Sequence, residues 1–166
     1  MKTRIALLLI ALTITCLVVN AQSGKKLRFN QKGEFKIVQI TDTHIELKEK
    51  KNLEVYETIP NILSVEKPDL VVLTGDIVTE DNPQEAYKQL AAIFEKAKIP
   101  WAMIFGNHES EHNFSRKELA AFLEEFPFCL NKDDGSTEGY SNFILPVHGK
   151  ENKPAAQLYF MDSNEY

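Results

Sequence analysis

Three short polar clusters in this 166-residue chain carry residue types that hold cations: Thr41-Asp42-Thr43-His44, Thr74-Gly75-Asp76 and Gly106-Asn107-His108-Glu109. Carboxylate, imidazole and carboxamide donors in combination suit Mn, Fe or Zn. Asp42 and His44 are two residues apart, so on an extended backbone their side chains project to the same side and face one point. Asp76 follows His44 by 32 positions, and Asn107 follows Asp76 by 31. The two oxygens of Asp76 allow it to bridge a pair of cations about 3.5–4 Å apart, an arrangement that clamps the attacking and leaving oxygens of a phosphoryl transfer. His108, next to Asn107 in the chain, is placed to protonate a leaving group or stabilise developing charge. Gly75 and Gly106 let the backbone turn sharply beside these groups. Each cluster alone reads as an ordinary turn. The three together, in this order and at this spacing, read as a metal site.

The elements between the clusters explain why they would converge. Phe35–Ile40 predicts a strand, Asn52–Glu66 an amphipathic helix kinked at Pro60, and Asp69–Leu73 a buried strand. Pro83–Lys98 predicts a second helix with Ala86, Leu90, Ile93 and Phe94 on one face, and Pro100–Phe105 a third strand. A β-α-β-α-β chain with nearly continuous apolar strands implies an α/β fold around a parallel sheet, with right-handed crossovers and both faces covered. Ligand groups in such a sheet gather at the carboxyl ends of the strands, where all three clusters fall. Ser115–Phe126 predicts a further helix opened by a capping box of Ser115 and Glu118. Around a turn at Gly149–Pro154, the stretches Gly139–Val147 and Ala156–Met161 predict an antiparallel hairpin.

Composition narrows the partners. With 43% hydrophobic and 26% charged residues, seven Gly, seven Pro and two Cys, the chain is neither collagen-like, low-complexity nor a disulfide scaffold. Its net charge of -5 and the lack of a dense Lys/Arg stripe give no support to nucleic-acid binding. Residues 1–21 have a basic start (Lys2, Arg4), an apolar run over Ile5–Val19 and a Val19-Asn20-Ala21 end, the pattern of a secretory signal cleaved after Ala21. Its removal is expected to leave an exported, acidic chain with no membrane segment, opening on an exposed lead-in at 22–34. Cys16 would leave with the signal. Cys129, flanked by apolar residues, then reads as a buried structural thiol.

The three clusters resemble the first signature blocks of the calcineurin-like metallophosphoesterases. Ser115-Arg116-Lys117-Glu118, Gly139-Tyr140-Ser141-Asn142-Phe143 and Leu158-Tyr159-Phe160-Met161-Asp162-Ser163 resemble later stretches of the purple-acid-phosphatase-like branch. The resemblance covers residues 35–166 and implies the N-terminal part of a two-sheet sandwich flanked by helices. It implies hydrolysis of phosphate mono- or diesters by a metal-activated hydroxide at a dinuclear centre. Carried over residue by residue, Asp42 and His44 would hold one metal, Asp76 would bridge both, Asn107 would bind the second and His108 would act on the leaving-group side. Glu109 stands where the family more often has Asp. The family completes its site with a further His and a Gly-His-Xaa-His block, whereas here only His112 and His148 follow His108. The four ligands offer three contacts to one cation and two to the other. These residues by themselves are therefore expected to hold about one cation, weakly, with little turnover. His112 is expected on an exposed loop, His148 on the surface of the hairpin turn, and Asp162 as a helix cap rather than a cap on the site. The alternative is a non-catalytic binding module with a partial metal site.

Overall fold

The computed structural model describes residues 26–49, 53–111, 113–132, 135 and 138–164. The signal-like segment 1–21 and His112 lie outside the described residues. The element order is β1 (Ile37–Ile40), α1 (Leu53–Glu66), β2 (Leu70–Thr74), α2 (Gln84–Ala97), β3 (Trp101–Ile104), a short 3-10 turn (His108–Ser110), α3 (Arg116–Leu123), β4 (Phe143–His148) and β5 (Pro154–Phe160). Strands β1, β2 and β3 form a parallel sheet in that order, with Val38 opposite Val71 and Val71 opposite Trp101. Strands β4 and β5 form the expected antiparallel hairpin. Pro60, where a kink was expected, lies inside the continuous helix α1.

Alternation along the strands sorts the side chains into two layers. Val71, Leu73, Trp101 and Met103 pack with Ile59 and Leu63 of α1 and Leu90 and Phe94 of α2, forming the main core. On the opposite face, Leu70 and Val72 pack with Leu27, Leu145, Val147 and Leu158, so the hairpin covers this side. Both helices lie on one face because successive right-handed crossovers run in one direction along the sheet. The expected cover on both faces is present over β2 and incomplete over β1, an edge strand with Ile37 40% exposed and Gln39 exposed.

The outer edge of β3 is closed by non-strand groups. Leu130 donates its N–H to the Trp101 carbonyl at 2.8 Å. The Asn131 carboxamide both accepts from Met103 N–H and donates to Met103 O, each at 2.8 Å, imitating a neighbouring strand. In the described part of the segment expected as an exposed lead-in, Lys26, Arg28 and residues 30–34 are exposed, while Leu27 is buried and Phe29 half-buried. Leu27 is buried against Leu70 and Val147, and His148 N–H bonds to Leu27 O at 2.9 Å. The same pairing buries His148, which was expected at the surface. Helix α3 begins with the expected capping box: Ser115 accepts from Glu118 N–H while the Glu118 carboxylate accepts from Ser115 N–H. The bonds from Ser115 also hold the Glu118 carboxyl below its ordinary value.

Candidate metal centre

The carboxyl ends of β1, β2 and β3 are drawn together by backbone hydrogen bonds that continue past the strands. Asp42 N–H bonds to Gly75 O at 3.1 Å, His44 N–H to Asp76 O at 3.1 Å and Ile45 N–H to Ile77 O at 2.9 Å. This continuation is not extended backbone. Asp42, His44 and Asp76 have φ of 53°, 45° and 54°, in the left-handed region that residues with a Cβ rarely enter. The extended backbone expected at Asp42 and His44 is therefore not what turns them to one point. They meet all the same, with His44 Nε2 4.0 Å from Asp42 Oδ1. Thr41 Oγ1 donates to Asp42 Oδ2 at 2.5 Å and fixes that carboxylate from the other side.

Conformations of this kind are disfavoured by about 1–3 kcal/mol each and persist only where the surroundings over-determine them. Two features do so here. The first is the approach of Gly75 (φ 88°) to Gly106: a Cβ on Gly75 would lie 2.5 Å from Gly106 N and 2.6 Å from Gly106 Cα. A Cβ on Gly106 would fall on the Asp76 carboxylate. The second is Glu109, whose fully buried carboxylate accepts from Asp76 N–H at 3.0 Å, Ile77 N–H at 2.9 Å and Gly106 N–H at 2.6 Å. One side chain thus ties the loop after β2 to the loop after β3. Burial pushes the Glu109 carboxyl up, opposed by those three N–H groups. Tyr87 donates to the same carboxylate at 3.4 Å, and its phenol is held well above its ordinary value by burial and the Glu109 charge.

Within this frame, ligand atoms of His44, Asp76 and His108 all lie within 4.8 Å of one another, and the three residues are half-buried. The His44 and His108 rings sit edge to face with centroids 5.0 Å apart. Asp76 Oδ1 accepts from His108 N–H at 3.0 Å, and His108 Nδ1 lies 2.6 Å from Glu111 Oε2. That bond raises the imidazole's proton affinity. Asn107 is on the same loop, with its carbonyl held by Ser110 Oγ at 2.7 Å. Two imidazoles and a carboxylate, with Asp42 beside them, fit a borderline divalent cation. His108, read from the sequence as beside the ligands, has a ring nitrogen within 4.8 Å of theirs, close enough either to ligate or to move a proton beside the cation.

A buried ion pair braces the loop from behind. Arg116 donates to Gly106 O at 2.6 Å, lies over the Phe105 ring at 5.2 Å and pairs with Asp162. Asp162 also accepts from Tyr140 N–H and Asn164 N–H, each at 3.0 Å. Among the described residues Asp162 caps no helix, in contrast to the expectation: its principal partner is an arginine 46 residues away. Sequence reasoning missed this pair, the clamp role of Glu109 and the contact of Glu111 with His108. Only the last left a signal, an acidic residue three positions from a histidine.

The fold and the site define a parallel α/β unit that gathers cation ligands at one sheet edge. The family model for calcineurin-like phosphoesterases matches residues 35–165, and the chain belongs to that family. Phosphate esters are the family's substrates and divalent metals its cofactors. Similar proteins include "probable inactive purple acid phosphatase 29" of Arabidopsis thaliana, 32% identical over 86% of this chain and 43% of that protein. "Phosphatase DCR2" of Saccharomyces cerevisiae is 31% identical over 86% of this chain and 29% of its own length. "Probable glycerophosphodiester phosphodiesterase GpdQ" of Arcobacter nitrofigilis is 32% identical over 63% of this chain and 45% of its length. The chain spans less than half the length of each. No solved structure matches it. Among the described residues, no helix is long and apolar enough to cross a membrane.

Proposed function

We propose that this chain is the site-bearing part of an exported, metal-dependent phosphoesterase acting on small phosphate mono- or diesters. The observation that carries the reading is the meeting of His44, Asp76 and His108 at the carboxyl edge of the parallel sheet. Asp42 and His44 would hold one cation, Asp76 would be shared, and Asn107 would serve a second. Bound cations supply positive charge for the phosphoryl oxygens and acidify water. The chain's own residues do the rest. The carboxylates of Asp42 and Asp76 fix the register of the site, Glu109 keeps both loops from relaxing, and His108 gives a proton to the departing alkoxide as its bond to phosphorus breaks. These residues alone would hold about one cation with useful affinity, because Asn107 and a shared Asp76 would be a thin shell for the second.

A binding-only role is the second reading, and the word "inactive" in the name of the Arabidopsis relative favours it. The test is to strip the chain with chelator, titrate manganese by calorimetry, and assay an aryl phosphate monoester and diester before and after. Metal-dependent hydrolysis that disappears in Asp76→Asn supports the phosphoesterase. Tight binding with no hydrolysis of either ester supports the second reading.

A further inference from the structure

We propose that Arg116 is the positioning residue of Asn107: from behind the loop it fixes the peptide plane from which that carboxamide is aimed. The inference rests on the reading of Asn107 as a ligand of the second cation. Asn107 stands at the N-cap of the 3-10 turn His108–Ser110, yet its side chain makes no cap bond, so its aim is set by its backbone. That backbone has φ −77° and ψ −31°. The two angles relate the rigid peptide planes on either side of Cα, and where both planes are held the direction of the Cα–Cβ bond is fixed too. Both are held here. The plane after Asn107 is held by Ser110 Oγ, which donates to Asn107 O at 2.7 Å. The plane before it contains Gly106 O, which accepts from Arg116 Nη1 at 2.6 Å.

Arg116 serves as a fixed point because it is itself held. It is buried, lies over the Phe105 ring, and bonds through its second nitrogen, Nη2, to Asp162. A guanidinium presents its N–H groups in a rigid planar fork, so engaging Asp162 with one arm sets where the other points. Asp162 is anchored in turn by the segment before β4. Tyr140 N–H donates to its Oδ2 at 3.0 Å, and Asp162 N–H donates to Asn142 Oδ1 at 2.8 Å. Ser141 Oγ accepts from Phe105 N–H at 3.2 Å, tying the same segment to the residue just before Gly106. The hairpin thus reaches Asn107 through two buried side chains that lie outside the cation-ligand group. Asp42 and His44 stand apart from this route, their N–H groups bonded to Gly75 O and Asp76 O. The consequence of Arg116 therefore falls on the second-cation side of the site.

The experiment combines Arg116→Met with Asp162→Leu in the full chain. Apolar partners leave no stranded charge and keep the unfolding midpoint near that of the wild type, while Gly106 O loses its donor. The first readout, on the metal-free chain, is the carbon-13 shifts of Asn107 Cα and Cβ, which report its φ and ψ. Helical-region shifts are expected in the wild type, and displaced or averaged ones in the double variant. The second is manganese affinity by calorimetry, in a cycle with Asn107→Ala. The double variant is expected to weaken manganese by about threefold or more, and to add nothing in a chain that already carries Asn107→Ala, because a residue acting through Asn107 then has nothing to position. Affinity restored along with stability, or losses that multiply in the combined variant, overturn the assignment and leave Arg116 a structural residue. Arg116→Lys, which keeps a charge for Asp162 without the fork, is read in the same way if the double variant does not fold. If the wild type binds no manganese, the proposed metal centre fails, and the carbon-13 shifts still decide the role of Arg116.

Discussion

Replacing Gly75 by Ala tests the contact on which the whole site hangs. Two penalties add there. A residue with a Cβ at φ 88° is strained by about 1–3 kcal/mol. Its Cβ would also lie 2.5 Å from Gly106 N and 2.6 Å from Gly106 Cα, backbone atoms that cannot swing aside, for a further overpacking penalty of about 1–3 kcal/mol. Gly33 separates the two terms. It has a comparable φ of 80° with nothing within 4 Å of its would-be Cβ, so Gly33→Ala carries the strain alone. Urea unfolding of both variants, read from the midpoint at constant m-value, measures the difference. Gly75→Ala is expected to be the less stable by about 1–3 kcal/mol and to displace the His44 and His108 resonances, which Gly33→Ala leaves in place. Equal losses would show that the two strand-end loops are not in contact, and the site as described would not exist.

Three other outcomes follow from the packing. Glu109→Ala leaves three N–H groups without their acceptor and is expected to destabilise by about 3 kcal/mol or more in chemical unfolding. A change under about 1 kcal/mol would mean that water replaces the clamp. Asp162→Ala strands the buried Arg116 and is expected to lower stability by about 3–5 kcal/mol, whereas replacing both partners with apolar residues recovers much of it in a double-mutant cycle. Burial pushes the Cys129 thiol up to about 12, so the native chain is expected to resist maleimide at pH 8 and react once unfolded. The folded state therefore binds this proton more tightly than the unfolded one. The associated stability is present below the ordinary thiol pKa of about 8.5 and is lost as the pH rises from there towards 12.

The strands, helices and hairpin were legible because apolar periodicity and turn residues act locally: Val71 and Leu73 pack where alternation puts them, and Ser115 with Glu118 caps α3 as its spacing states. The convergence of the three polar clusters was legible for a topological reason, since every strand–helix unit returns the chain to the same sheet edge. What could not be read depends on groups distant in sequence. The left-handed backbone at Asp42, His44 and Asp76 exists because Glu109 and the Gly75–Gly106 approach hold it, and no local propensity encodes that. Arg116 and Asp162 are 46 residues apart and carry no periodic signal. Leu27 and His148, 121 apart, bury one another through a bridge that polar neighbours conceal.

Manganese titration of the full chain, followed by paramagnetic broadening of backbone amides, tests the central claim most directly. At less than one equivalent, the amides around Asp42–His44, Gly75–Asp76 and Gly106–Glu109 are expected to broaden together while Gly33 stays sharp. Asp76→Asn is expected to weaken binding by about tenfold or more, and Asn107→Ala by less, because the carboxylate brings charge where the carboxamide brings only a dipole. Diffuse broadening over the acidic helix surfaces, or equal losses in the two variants, would contradict a metal centre at this sheet edge with Asp76 as its shared ligand.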